Sequence, residues 1–179
     1  MQSPTEITDS ETFWVRSRDV SDSPDVASEE YYDVHEVTRR EHTTADDLPP
    51  TDSDAVRTLD RKALEQQKLI GKWQLTGSAE QIESLWPDVL ADVEDGTLWA
   101  AKVMTQTGYD ELPYEEYMIV VYTPNYFERH DVFRVREHLR EVHDVSHSLY
   151  YKPDIYTAEG IVAETAEEFG LAVPARYVE

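Results

Sequence analysis

The 179-residue chain contains no cysteine, which excludes disulfides, thiolate metal sites and cysteine nucleophiles together. Glycine is scarce, at six residues, and no GxGxxG or GxxxxGKS/T run is present, so the ordinary nucleotide-binding loops are excluded. No GxSxG marks a serine hydrolase, and most of the isolated serines fall in caps or in the N-terminal arm. No apolar run approaches the ~20 residues that span a bilayer. The opening MQSPTEITDS has neither a charged start nor an apolar stretch, so a soluble, cytoplasmic protein with no membrane association is expected. Lysine is scarce too: the chain has five, at positions 62, 68, 72, 102 and 152.

Acid is abundant. Asp and Glu number 38 against 16 Lys and Arg, for a formal net charge of -22, and the excess runs along the whole chain. Such a field repels phosphate backbones and anionic membranes, so bulk nucleic-acid binding is excluded. A phosphorylated ligand would need a local pocket in which the sign of the potential reverses. Acid excess with little lysine is the composition of proteins from salt-saturated cytoplasm, where screening over ~3 Å at molar salt removes most self-repulsion. A halophilic source is expected.

Residues 1–53 are rich in Ser, Thr, Asp, Glu and Pro and read as an acidic, partly ordered N-terminal arm and linker. TFWV (12–15) is its expected docking point, as an edge strand. The compact domain is expected over 54–179, opening with a helix capped at Asp52 or Ser53. KLIGKWQLTG (68–77) reads as a strand. SAEQIESLWPDVLADVEDG (78–96) reads as a helix with Ser78 and Gln81 as a capping box. TLWAAKVMT (97–105) and YMIVVYT (117–123) read as strands apolar on both faces. They are joined by an irregular loop, Gln106 to Glu116, long enough to act as a lid. HDVFRVREHLREVHDV (130–145) is a further amphipathic helix, SHSLYYKPD (146–154) a strand stopped by Pro153, and Thr157 to Phe169 a last helix closed by Gly170. Strands alternating with helices give a mixed sheet with helices packed on it.

Lys72, Lys102 and Lys152 all fall in expected strands. With helices on one sheet face, lysines on the other would share an uncovered surface and offer a site for an anion. The ordinary alternative is that each snorkels to solvent or pairs with a carboxylate. Lys102 stands out, because burial in an apolar strand lowers a lysine pKa and makes it a base. Arg134 and Arg136 are candidate phosphate contacts. Helical spacing puts Arg136, Arg140 and His143 on one face and Arg134 with His138 on another. Trp73 and Trp99 are candidate stacking surfaces, against the commoner role of tryptophan in a core. No HExxH or His-x-His spacing is present, and His143 with His147 straddles a helix end, so no metal or cofactor is expected.

From about residue 69 to 165 the segments GKWQL, LWAAKVMT, IVVYTPNYFERHDVFRVREHLR and YYKPDIYTAEGI resemble the basophilic-leukaemia-expressed protein family. The resemblance implies an α+β fold, a curved and mainly antiparallel sheet backed by helices, similar to that of the cap-binding translation initiation factor. It also implies likeness to phosphothreonine lyases, which eliminate phosphate from phosphothreonine. That chemistry needs a base for the Cα proton, cations for the phosphate and an acid for the leaving oxygen. By resemblance Lys102 in AAKVMT is the base, Lys72 a phosphate-binding lysine, and Lys152 in YYKPD stands where the lyases have arginine. The lyases' acid is a histidine two residues beyond the first lysine. Here that position is Gln74, which donates no proton usefully near neutral pH. The readings left open are a lyase, a non-catalytic binder of a phosphorylated ligand or nucleotide, and a structural or partner-binding protein without a pocket. An acidic arm lying across the pocket as a mimic of its ligand is a further expectation.

Overall fold

A computed structural model describes residues 2–18 and 26–179; the part of the expected arm at residues 19–25 lies outside them. The elements are, in order, β1 (Trp14–Arg16), α1 (Val26–Val34), α2 (Asp54–Gln66), β2 (Gly71–Gly77), α3 (Ala79–Glu94) and β3 (Ala100–Met104). Then follow α4 (Gln106–Glu111), β4 (Tyr117–Thr123), α5 (Arg129–Glu141), β5 (Tyr150–Pro153), α6 (Asp154–Ala158) and β6 (Tyr177–Val178). One six-stranded sheet runs β1-β3-β4-β2-β5-β6, and every neighbouring pair is antiparallel. The class is α+β.

Local chemistry explains the main elements. Ser78 accepts from the Gln81 amide while the Gln81 side chain accepts from the Ser78 amide, so α3 begins with the expected reciprocal cap. Its apolar stripe, Ile82, Trp86, Val89 and Val93, is buried on the sheet, at ~1.5–3 kcal/mol for each large side chain. Pro87 lies inside this helix without ending it. Ser53 accepts from the Val56 amide and caps α2.

Period-two alternation then sorts the sheet. Trp73 and Leu75 of β2, Val103 of β3, and Ile119 and Val121 of β4 pack in the large core with α3 and α5. Met104, Met118, Val120 and Tyr122 face the other way, into a second cluster with Tyr31 of α1. That double role explains why β4 is buried at every position. At Gly71 a Cβ would lie 2.2 Å from the Tyr151 hydroxyl, which itself bonds the Thr123 hydroxyl at 2.5 Å. Only glycine leaves room there for the tyrosine to cross beneath the strand.

Three expectations need correction. The stretch after β3 is not an irregular lid: Thr105 caps the short helix α4, and Tyr109 stacks on Tyr117 at 4.4 Å between ring centres. The last helix does not begin at Thr157, which lies inside α6; a separate 3-10 turn at Ala166–Phe169 is closed by Gly170 at φ 77°. Nor does residue 54 divide the structure. β1 pairs with β3 at the sheet edge, and Tyr31 and Val37, both upstream of 54, are buried in the second cluster. Among the described residues, no helix is long and apolar enough to cross a membrane.

Candidate functional site

Antiparallel register determines which side chains share a face. Arg16 pairs with Lys102, Lys102 with Val120, and Val120 with Gln74. One row along, Ala100 pairs with Tyr122, Tyr122 with Lys72, and Lys72 with Lys152. Directly opposed residues project to the same side. Lys72, Lys102 and Lys152 therefore all stand on the face opposite α3 and α5, joined there by Arg16 from the edge strand.

A cleft of about 500 Å³ opens on this face, lined by Arg40, Lys68, Lys72, Lys102, Tyr122, Asp154 and Thr157 among others. Three of the five lysines in the chain therefore meet in one cleft, and Asp154 is the carboxylate that lines it. Lys72 donates to Asp154 at 2.6 Å and to the Thr157 hydroxyl at 3.1 Å. Lys102 sits differently: its Nζ lies 4.0 Å from the centre of the Trp14 ring. Burial, with Arg16 and Lys72 nearby and Asp154 opposing, brings its pKa down to about 8. An ammonium over an aromatic face beside other cations is a charge awaiting an anion. Tyr122, whose hydroxyl is held above its ordinary range chiefly by burial, closes the floor between the two lysines.

Lys152 is adjacent to this cluster but already engaged. Its Nζ donates to the Ile161 carbonyl at 2.6 Å, and burial followed by the Lys72 charge lowers its pKa. Its first duty is to hold the segment after α6, and it does not line the cleft.

Arg134 and Arg136 do not join the lysines. Arg134 is tied to Asp131, which is fully buried, at 3.0 Å and to the Tyr31 hydroxyl at 2.7 Å, so it neutralises an interior carboxylate. Arg136 pairs with Glu137 and, at 2.8 Å, with Glu179. The stacking surfaces are corrected as well. Trp73 is fully buried between α5 and the sheet, donating from Nε1 to the Val132 carbonyl at 2.9 Å. Trp99 is 7% exposed and covered by the Arg18 guanidinium, 4.7 Å from the ring centre. Gln74, paired with Val120, is on the lysine face, and among the described residues no histidine lines the cleft.

The family's sequence profile, basophilic leukemia-expressed protein Bles03, matches residues 19–159. The chain belongs to the Bles03 family. Among solved structures it is similar to schistosome eIF4E complexed with m7GpppG and 4E-BP, at 15% identity and a TM-score of 0.44, covering 84% of this chain and 80% of that one. It is also similar to schistosome eIF4E complexed with m7GpppA and 4E-BP, at 16% identity and a TM-score of 0.38, covering 70% and 69%.

The sequence reading singled out Lys72, Lys102 and Lys152, of which Lys72 and Lys102 line the cleft and Lys152 does not; it passed over Trp14, Arg16, Arg40 and Lys68, which come from the expected arm and from the turn before β2. For Trp14 and Arg16 a signal existed: their alternation about Val15 in the expected edge strand. Arg40 and Lys68 carried none.

Proposed function

We propose that this Bles03 family member is a binding module for a phosphorylated small molecule or phosphopeptide, held in the cleft between β2, β3 and α6. The observation that carries it is the reversal of charge sign. In a chain of net charge -22, Arg40, Lys68, Lys72 and Lys102 line the cleft against the single carboxylate Asp154. Ordinary surface lysines in so acidic a chain would each find a carboxylate partner. Lys102 instead stacks on Trp14 with Arg16 close by, and a dianionic phosphoryl group would relieve that mutual repulsion. The ligand's phosphate sits against Lys102 and Lys72, and the exposed part of Trp14 takes its apolar portion. The acid excess and scarcity of lysine support a halophilic source, so the titrations are run in molar potassium chloride.

The test is calorimetric titration in that salt with inorganic phosphate, phosphothreonine peptide and nucleoside monophosphates, on wild type, Lys72→Met, Lys102→Met and Lys102→Arg. Lys102→Met is expected to lose at least about tenfold in affinity, since charge-assisted bonds are worth about 1.5–3 kcal/mol; Lys102→Arg keeps most of it. Equal affinity in all four proteins, or none for any phosphorylated compound, overturns the reading.

The lyase reading is favoured by one observation, the pKa of Lys102 at about 8, close to what a general base requires. Among the described residues no histidine lines the cleft to serve as its acid. Dehydrated threonine detected by mass spectrometry with wild type, and absent with Lys102→Arg, would replace binding with elimination as the activity.

A further inference from the structure

Away from the cleft, three side chains from distant parts of the sequence converge on one point. Asp92 lies in the last turns of α3, His138 in the last turn of α5, and His143 just beyond that helix. The backbone past α5 is fixed in a tight return. The Val142 amide donates to the His138 carbonyl, Asp144 takes a left-handed conformation at φ 55°, and the Val145 amide returns to the Leu139 carbonyl. Arg140 clamps the same turn through the carbonyls of Val145 and His147, each at 2.7 Å. His143 is thereby folded back beside His138, with ring centres 5.2 Å apart at 81°.

Both imidazoles aim Nε2 at the same oxygen. His138 lies 2.7 Å and His143 2.5 Å from Oδ2 of Asp92, and the three donor atoms all fall within 4.8 Å of one another. The side chains are withdrawn from solvent, at 17%, 4% and 15% exposure for His138, His143 and Asp92. A simple helix-to-helix tie needs one imidazole on the carboxylate. Two imidazoles presenting the same nitrogen to one carboxylate oxygen make a ligand set of two nitrogens and one oxygen. His143 also borders a polar groove of about 890 Å³ between α3 and the return, with Ser84, Asp88 and Ser146, so the point is reachable from solvent. The chain's negative field raises the local concentration of cations.

We propose that Asp92, His138 and His143 bind a divalent transition metal ion of the zinc class, with water in the remaining position. Imidazole with carboxylate suits zinc, cobalt or nickel, whereas magnesium and calcium require oxygen ligands. Tetrahedral zinc with bonds of about 2.0–2.1 Å places its ligand atoms roughly 3.3 Å apart. The present spacings of 2.5 and 2.7 Å therefore open by less than about 1 Å, within reach of small side-chain rotations. The bound ion would lock the end of α3 to the end of α5 and leave one coordination position toward the groove. It would do so independently of the lysine cleft, on the opposite side of the sheet.

The experiment titrates chelator-treated, full-length protein with Co²⁺ in molar potassium chloride, reading the visible absorption of the ion. The expected result is one Co²⁺ per chain with the intense spectrum of four-coordination, abolished by one equivalent of Zn²⁺. His138→Gln, His143→Gln and Asp92→Asn are each expected to weaken uptake by at least about a hundredfold, more than loss of an outer-shell partner costs. His147→Gln should bind as wild type. Because the variants could lose their fold, histidine ring resonances of the wild type are followed with Zn²⁺ in parallel; shifts confined to His138 and His143 support the site. No stoichiometric uptake, a six-coordinate spectrum, or uptake unchanged in the doubly substituted His138→Gln/His143→Gln protein would overturn it.

Discussion

Lys102 supplies the most exposed test of the charge argument, because its value can be read directly. Only five lysines are present, so reductively ¹³C-methylated protein yields few side-chain signals, and one of them should titrate near 8 in place of the ordinary 10.5. The gap corresponds to about 3.5 kcal/mol at ~1.4 kcal/mol per pH unit. The cleft is open to water on one side, and solvent screening reduces the usable part to about 1–2 kcal/mol. The sign follows from proton binding. Below pH 8 native and unfolded chains both carry the proton, and the cost of holding the charge in the cleft is fully present. Between about pH 8 and 10.5 the native chain gives it up while the unfolded chain keeps it, so stability rises with pH across that window. Lys102→Met, measured by urea unfolding at pH 7, should thus be more stable than wild type by about 1–2 kcal/mol, and the advantage should shrink above pH 8. A phosphorylated ligand should move the Lys102 signal back up by a unit or more. The reasoning fails if every lysine titrates above 10, or if Lys102→Met is the less stable protein at pH 7.

Arg16→Ala should weaken phosphate binding without unfolding the protein, since Arg16 is exposed on the edge strand, and calorimetry with circular dichroism separates the two effects. Trp73→Ala should cost about 3–5 kcal/mol of stability by denaturant titration, as expected for a large buried ring; a smaller loss, with ligand affinity reduced instead, would return Trp73 to the binding site. Arg134→Met leaves the buried Asp131 carboxylate without its cation and should destabilise by about 3–5 kcal/mol, while leaving phosphate affinity unchanged. Lys152→Met should lower the melting temperature through the freed Ile161 carbonyl, and change affinity far less than Lys72→Met does.

How much of this was legible in the sequence depended on how local each signal is. YMIVVYT begins and ends as β4 does, because seven apolar, aromatic or β-branched residues lie between the acidic pair Glu115–Glu116 and Pro124, which cannot extend a ladder. The capping box of α3 was equally plain. The short helix α4 was hidden because six residues hold less than two turns of periodicity, and its stability comes from the Thr105 cap and the Tyr109–Tyr117 stack. Trp73 shows a different failure. The same alternation that sends Lys72 to the cleft must send its neighbour to the opposite face, so the two could never have served one ligand. Asp92, His138 and His143 were beyond any spacing rule. His143 lies past the helix end, where the left-handed turn at Asp144, and not helical periodicity, sets its direction.

The N-terminal segment changes meaning most. Its acid content suggested a partly ordered arm, docked at TFWV as an edge strand and able to lie over the cleft as a mimic of its anionic ligand. β1 is that edge strand, beside β3, and it places the Trp14 ring against the Lys102 ammonium and Arg16 opposite the same lysine, while Arg40 lines the cleft from beyond α1. A segment that supplies two cations and an aromatic wall adds positive charge to the lysine face of the sheet. The depressed pKa of Lys102 is partly its product, since Arg16 is the first charge after burial that drives it down. The acidic residues of the segment belong to the general surface charge of the chain. Trp14 and Arg16, set by register at the sheet edge, and Arg40 add to Lys68, Lys72 and Lys102, so that cations outnumber Asp154, the carboxylate lining this cleft.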